Sequence, residues 1–264
     1  MSKKYHSILF VPAREKYLSK ICQLKADMIV IDLEDAIPAE DKVSALKKVK
    51  CFLRHSSGDL DIFVRINPDR KKEETDVLNK FPICGYMLPK TESAKDIEKL
   101  CDVADGKQIV ALIESAAGIL NAREIAQCAY TNMIAFGAED YTAQCGIKNE
   151  NQYLIYPKSK LVACAKACGK QVFDTISRNI YDRNVCMEDA VQSKKFGFDG
   201  KLALHPMQVE VINEVFRNTD ILQYERIMDE YSKVKNNVVV IDGIVYEEMH
   251  IRAMQRELRE NKKE

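Results

Sequence analysis

Short apolar runs alternate with longer amphipathic stretches along most of this chain. The runs are SILFV (7–11), DMIVIDL (27–33), IFVRI (62–66), YMLP (86–89), QIVALI (108–113), MIAFG (133–137), QVFDTI (171–176) and KLALH (201–205). Each is short and rich in Ile, Val, Leu, Phe or Met, the composition of a strand buried on both faces. Between them lie EKYLSKICQLKA, AEDKVSALKKVKCFLRH, SAKDIEKLCDVA, GILNAREIAQC, YPKSKLVACAKACGK, VCMEDAVQSKKFG and PMQVEVINEVF. Several of these begin near Ser, Asp or Pro and end in Gly or a basic residue, as helices do. Strict β/α alternation predicts a parallel sheet. Eight units favour a closed TIM (β/α)8 barrel over an open doubly wound sheet, and the barrel is assigned to residues 1–218.

After Phe216 the pattern changes. RNTDILQYERIMDEYSKVKNN reads as a charged helix and VVVIDGIVYEE as a hairpin turning at Asp242-Gly243. MHIRAMQRELRENKKE reads as a terminal helix. This tail, residues 219–264, is too small for an independent core and is expected to pack on the barrel or on a neighbouring subunit.

Composition narrows the function classes. Lys plus Arg and Asp plus Glu are both 40, so the net charge is zero. That argues against a bulk electrostatic binder of nucleic acid or anionic membrane. The nine cysteines include no CxxC pair. Cys164 and Cys168, at i, i+4, are too few for a structural zinc site. No apolar stretch reaches the roughly 18 residues of a membrane span. The N-terminal apolar stretch is too short for a signal peptide, so a cytoplasmic protein is expected.

The candidate chemistry lies at the ends of the runs. Asp32, Glu34 and Asp35 end the second; Arg65 and Asn67 the third; Lys90 follows the fourth; Glu114 the fifth; Glu139 and Asp140 the sixth. Asp174 lies in the seventh and His205 ends the eighth. In a (β/α)8 barrel such strand ends converge on one mouth, where active sites lie. Glu114 and Asp140 end adjacent strands and could share one ion. Magnesium suits a two-carboxylate set completed by water and substrate; manganese also fits. Either residue could instead serve a helix start, Glu114 beside Ser115 and Asp140 as an N-cap. Arg65 suits bidentate binding of a substrate carboxylate or carbonyl. An ion pair with Glu34 or Asp35 is its other use, and both can hold together. Lys90 could form a Schiff base or pair with the acidic cluster. His205 reads as a structural residue rather than a general base. GxGxxG, P-loop and GxSxG motifs are absent.

SILFVPA, ADMIVIDLEDAIPAEDK, FVRIN, YMLPKTES, ALIESAAGILNAREIA, IAFGAEDY and FGFDGKLALHPMQVEVIN occur in that order over about residues 6–216. Together they resemble the citrate lyase beta-subunit-like family of the HpcH/HpaI aldolase and malyl-CoA lyase superfamily. The resemblance implies a TIM barrel, a bound divalent metal, and cleavage or formation of a C–C bond beside a carboxylate or thioester. It assigns Glu114 (LIES) and Asp140 (FGAED) to the metal. Arg65 (VRIN) and, through its metal, Glu114 meet the substrate. Asp32, Glu34 and Asp35 stand behind the metal and its water, with Lys90 beside them. The partners implied are a small carboxylate or acyl thioester and further copies of the chain, a trimer favoured, with the tail over a neighbour's mouth. The family's tail aspartate, a general acid, falls at Glu247. Other departures are His6 for an Arg before the first strand, Ala13 for a Gly, and Leu46 for a basic residue. They motivate an alternative: a barrel kept as a non-catalytic subunit or binding module.

Overall fold

All eight runs form strands in the computed structural model, which describes residues 3–56, 60–217, 221–234 and 237–261. β1 (Ser7–Pro12) is followed by α1 (Glu15–Leu18), and β2 (Met28–Asp32) by α2 (Lys42–His55). β3 (Ile62–Arg65) precedes α3 (Lys71–Leu78), and β4 (Gly85–Leu88) precedes α4 (Ala94–Cys101). β5 (Gln108–Ile113) leads into α5 (Ala116–Leu120) and α6 (Ala122–Gln127). β6 (Met133–Phe136) leads into α7 (Ala138–Cys145) and α8 (Ile155–Ala167). β7 (Gln171–Asp174) with α9 (Arg183–Phe196), and β8 (Gly200–Ala203) with α10 (Pro206–Arg217), complete the series. Every neighbouring pair is parallel, and β1 pairs with β8, so the sheet closes into a barrel in sequence order.

The barrel is filled by alternate residues of its strands: Ile8, Met28, Val30, Phe63, Met87, Val110, Leu112, Met133, Ala135, Phe173 and Leu202, with Tyr5 below them. The intervening Ile29, Ile31, Val64, Tyr86, Ala111, Ile134 and Val172 are equally buried and face the helical ring. Burial on both faces is why the runs are continuously apolar.

Two helices were not legible in the sequence. α3 is the segment KKEETDVL, whose buried positions include the polar Glu74 and Thr75, so apolar spacing does not mark it. α7 lies in AEDYTAQC, directly after a strand end that reads as a loop. Conversely, EKYLSKICQLKA gives only the single turn α1 and a 3-10 turn at Ile21–Gln23. GILNAREIAQC breaks at Asn121 into α5 and α6.

The chain divides into two compact units, Met1–Val215 and Phe216–Glu264. The boundary expected at residues 218–219 lies outside the described residues. The second unit contains α11 (Ile221–Ser232), β9 (Val238–Ile241), β10 (Ile244–Glu247) and α12 (Glu248–Asn261). β9 and β10 form an antiparallel hairpin in which Asp242 (φ 51°) and Gly243 (φ 79°) both take positive φ. That geometry matches strand twist in a two-residue turn and favours Asp-Gly there. One hairpin face packs through Val239, Ile241 and Tyr246 against Ile227, Met228, Tyr231, Ile251 and Met254. The other carries Val238, Val240 and Val245, all exposed. No described helix is long and apolar enough to cross a membrane.

Candidate active site

Period-two alternation decides which polar strand ends enter the barrel mouth. Asp32 continues the inward series Met28, Val30; Arg65 follows inward Phe63; Glu114 follows inward Val110 and Leu112. Asp174 comes one residue after inward Phe173 and therefore faces out, against the expectation that it joins the mouth. It is fully buried, 2.7 Å from Lys158 Nζ and 3.7 Å from Lys201 Nζ, and accepts a hydrogen bond from the Ser193 hydroxyl at 2.6 Å. Lys201 also pairs with Asp189 at 3.0 Å. These five residues tie β7 and β8 to α8 and α9. Burial alone would raise the Asp174 pKa, but Lys201 and Lys158 hold it below the ordinary aspartate value.

Arg65 is fixed before any ligand arrives. Its Nε and Nη2 donate to the two oxygens of Asp32 at 2.8 and 2.7 Å. Its Nη1 lies 3.2 Å from Asp35 and 3.3 Å from Glu34 Oε2, and the guanidinium stacks 4.9 Å above the Phe10 ring. The ion pairs with Glu34 and Asp35 are present, but the dominant partner is Asp32. Asp32 is positioned in turn by accepting from the backbone N–H groups of Glu34 and Ala36. Burial would lower the Arg65 pKa, and the acids around it, Asp32 foremost, more than reverse that. The guanidinium stays charged.

Glu34 is buried, and desolvation raises its pKa against the pull of Lys90 and Arg65. Its Oε1 accepts from Lys90 Nζ at 2.7 Å, while its Oε2 accepts no hydrogen bond. The Glu34 hydrogen bond raises the Lys90 pKa. A Schiff-base lysine needs the opposite shift. Lys90 has a second role in its backbone. Its φ of 53° is left-handed, costly for a non-glycine residue, and its N–H donates to Glu114 Oε1 at 2.7 Å.

Glu114 is buried at the mouth. Ser115 itself caps α5 by accepting from Gly118 N–H, so Glu114 is not needed there. Gly137 makes room for it, because a Cβ at that position would stand 2.7 Å from Glu114 Oε2. Asp140 is exposed in the first turn of α7, whose N-cap is Gly137 rather than Asp140. Burial first, with the charges of Asp140 and Glu34, pushes Glu114 up to about 7, against the Lys90 N–H and Arg65. A buried carboxyl raised in part by a second carboxylate is the situation that a hard divalent cation relieves. Among the described residues no three His, Cys, Asp or Glu side chains converge as a closed cage. The donor set fits an ion that keeps water and substrate ligands, as magnesium does, and not four-coordinate zinc.

Four supporting residues were not singled out from sequence. Buried Glu74 accepts from the Asn67 N–H at 2.9 Å and from its side-chain amide at 2.6 Å, and that amide also donates to the Leu33 carbonyl. Lys42 Nζ donates to the carbonyls of Leu33 and Glu34. Together they hold the loop carrying Glu34 and Asp35. Thr175 Oγ1 accepts from Ala138 N–H at the start of α7. Gln208 binds the backbone at Leu204, Ser177 and Asn179. Exposed His205 accepts from the Met207 N–H at the start of α10, a structural use. Glu247, the last residue of β10, is exposed in the second unit, on the face of Val238, Val240 and Val245.

Residues 6–206 match the HpcH/HpaI aldolase/citrate lyase family. The chain belongs to that family. It is 34% identical over 248 residues to citrate lyase subunit beta of Haemophilus influenzae, covering 86% of this chain and 85% of that one. It is 28% identical to a (3S)-malyl-CoA thioesterase of Cereibacter sphaeroides, covering 94% and 91%. A solved M. tuberculosis citrate lyase beta subunit, complexed with oxaloacetate and magnesium, superimposes with a TM-score of 0.72 at 26% identity. It covers 81% of this chain and 98% of that one. Of the departures from the family pattern, His6 precedes β1, at the barrel end opposite the mouth. There its backbone N–H donates to Asp27 Oδ2 at 2.7 Å, and its ring Nδ1 lies 2.7 Å from the Asp199 carbonyl. Leu46 is buried on α2, in the helical ring.

Proposed function

We propose that the chain is a magnesium-dependent carbon–carbon lyase or aldolase acting on a 2-oxo or 2-hydroxy acid, or on its acyl thioester. The observation that carries this reading is Glu114, buried at the mouth and raised first by that burial and then by the charge of Asp140, beside an Arg65 already locked by Asp32. Glu114 and Asp140 would hold the cation, which supplies Lewis-acid polarisation of a substrate oxygen. Arg65 presents a fixed positive charge to the oxygen on which charge develops as the C–C bond breaks or forms. Asp32, Glu34 and Asp35 keep that guanidinium aimed, and Lys90 orients Glu114 through its N–H. Manganese would serve in the same place. Stripping the metal with EDTA is expected to abolish turnover, and added magnesium to restore it. Full activity in the stripped protein would sink the reading.

Gly137→Ala tests the cradle without touching a ligand. Its Cβ would force Glu114 aside. Magnesium affinity, measured by calorimetry, is expected to fall about tenfold or more, a displacement of roughly 1.4 kcal/mol, while the circular dichroism spectrum is kept.

The proton is assigned to Glu247 of a neighbouring copy in a homo-oligomer, a trimer being favoured. Support comes from the hairpin face that carries it. Val240 and Val245 pair across the strands there and are 63% and 51% exposed, an apolar surface around one carboxylate. Covering a mouth with that face would exclude water and strengthen the charge interactions inside. Glu247→Gln is expected to lower kcat more than it raises KM, because a proton donor acts in the transition state. A kinetically silent variant, together with a monomer in sedimentation at micromolar concentration, would remove this assignment.

The relationship to malyl-CoA thioesterases favours a second reading, hydrolysis of an acyl thioester at the same carboxylate pair. Product analysis separates the two: a lyase releases a shortened carbon chain, a thioesterase an intact acid and a free thiol.

A further inference from the structure

α7, the helix that bears Asp140, has no cap of its own. The residue before its first turn is Gly137, which has no side chain to accept a hydrogen bond. The site needs a glycine there, because a Cβ would stand 2.7 Å from Glu114 Oε2. Room for one proposed metal ligand thus removes the local cap from the helix that carries the other. A helix start leaves its first N–H groups without partners inside the helix. Two of these groups find partners on the strands either side of β6. The Gly137 N–H donates to the Ile113 carbonyl at 2.9 Å, at the end of β5. The Ala138 N–H donates to Thr175 Oγ1 at 3.1 Å, one residue past the end of β7.

Thr175 is itself held. Its own N–H donates to Asp174 Oδ1 at 2.9 Å, while Asp174 Oδ2 accepts from Lys158 Nζ at 2.7 Å and from the Ser193 hydroxyl at 2.6 Å. The buried ion cluster behind β7 therefore reaches, through Thr175, the first residue of α7. Ala138 and Thr175 are both buried, so an Ala138 N–H left without the hydroxyl would be an unpaired donor cut off from water. Asp140 lies two residues further along the same turn. The side-chain hold on that turn is weaker. Glu139 pairs with Arg178, but their side chains are 36% and 67% exposed, and an ion pair that open fixes a geometry poorly.

We propose that Thr175 is a positioning residue of the metal site: its hydroxyl oxygen caps α7 from the end of β7 and so fixes the turn that carries Asp140. A cap is ordinarily supplied by the residue at the helix start, and Ser, Thr, Asp and Asn serve there because their side-chain oxygen accepts an orphan N–H. Here that position is given over to Glu114, and a threonine 37 residues along the chain does the same work across the barrel wall. Thr175 touches no ligand atom in this role; it acts through the backbone of Ala138. The inference rests on the metal site proposed above, since Asp140 is the group it places.

The test uses the full-length chain. Thr175→Val keeps the shape and loses the hydroxyl, Thr175→Ala loses both, and Thr175→Ser keeps the hydroxyl. Amide hydrogen exchange at Ala138 reads the cap, and magnesium calorimetry reads the site. In the unmodified chain the Ala138 amide is expected to be protected and magnesium to bind. Thr175→Val and Thr175→Ala are each expected to lose that protection and to bind magnesium about 3- to 30-fold more weakly, the range of a lost helix cap. Thr175→Ser should keep the protection and stay within about twofold of the unmodified affinity. Thr175→Ala carries the reading should Thr175→Val fail to fold. If Ala138 stays protected without the hydroxyl, Thr175 is not the cap and the inference falls. If protection is lost while magnesium affinity holds, the cap serves the fold alone; the inference is overturned and the metal site stands. Equal losses in all these variants, or a loss in Thr175→Val alone, mark packing at this position and also overturn it. If the unmodified chain binds no magnesium, the metal site fails and this inference with it.

Discussion

Glu114→Gln and Asp140→Asn are each expected to abolish measurable magnesium binding and to lower turnover about a thousandfold. The magnitude follows from the several kcal/mol of charge stabilisation that a Lewis-acid cation supplies, at 1.36 kcal/mol per tenfold in rate. The two variants should differ in one respect. Glu114 is buried, accepts the Lys90 N–H and sits close to Arg65 and Glu34. Replacing it with Gln removes a charge that burial disfavours, so thermal stability in the absence of metal should hold or rise slightly. Asp140 is exposed, and its replacement should leave stability unchanged. Magnesium titration by calorimetry, kinetics and thermal melts read these outcomes. A Glu114→Gln protein that binds magnesium normally would show that the carboxylate pair is not the site.

Asp174→Asn is expected to be the most damaging substitution for stability, at about 3–5 kcal/mol. It leaves Lys158 and Lys201, both buried, without the carboxylate between them. Breaking a buried pair on one side leaves an uncompensated charge. For a chain of this size that is a fall in melting temperature of roughly 6–20 °C. The same cluster sets an acid limit. The folded Asp174 pKa is depressed below its unfolded value, so its contribution is fully present above that unfolded value, about 3.9. It is lost as pH falls through the lower folded value. Stability measured against pH should therefore drop more steeply below about pH 4 in the unmodified protein than in Asp174→Asn. Parallel curves for the two would show that the buried lysines do not depend on Asp174.

Neither role of these acids follows from its residue type alone. Glu114 ends one apolar run and Asp174 lies within another, and the sequence grouped them at one mouth. The strands themselves were legible because a parallel strand packed on both faces leaves a continuous apolar run. Eight such runs in alternation with helices carried the closed barrel. The motifs at their ends carried the family, and Asp32, Arg65 and Glu114 fell on the inward register.

What a doubly buried run does not carry is its absolute face. Alternation is period two, but with apolar residues on both sides no polar position marks which set points inward. Asp174 sits one residue past inward Phe173, and only the closed sheet sends it outward to Lys158 and Lys201. Lys158 lies 16 positions back in the chain and Lys201 27 further along, on different elements, and spacing could not pair them with Asp174. The same is true of Lys90, whose type advertised a side chain while its left-handed backbone orients Glu114, and of Gly137, whose missing Cβ makes room for Glu114. The sequence determined the strands, their order and the chemistry available at their ends. The tertiary structure decided which ends meet, because closure of the barrel, not local pattern, sets direction and distance at the mouth.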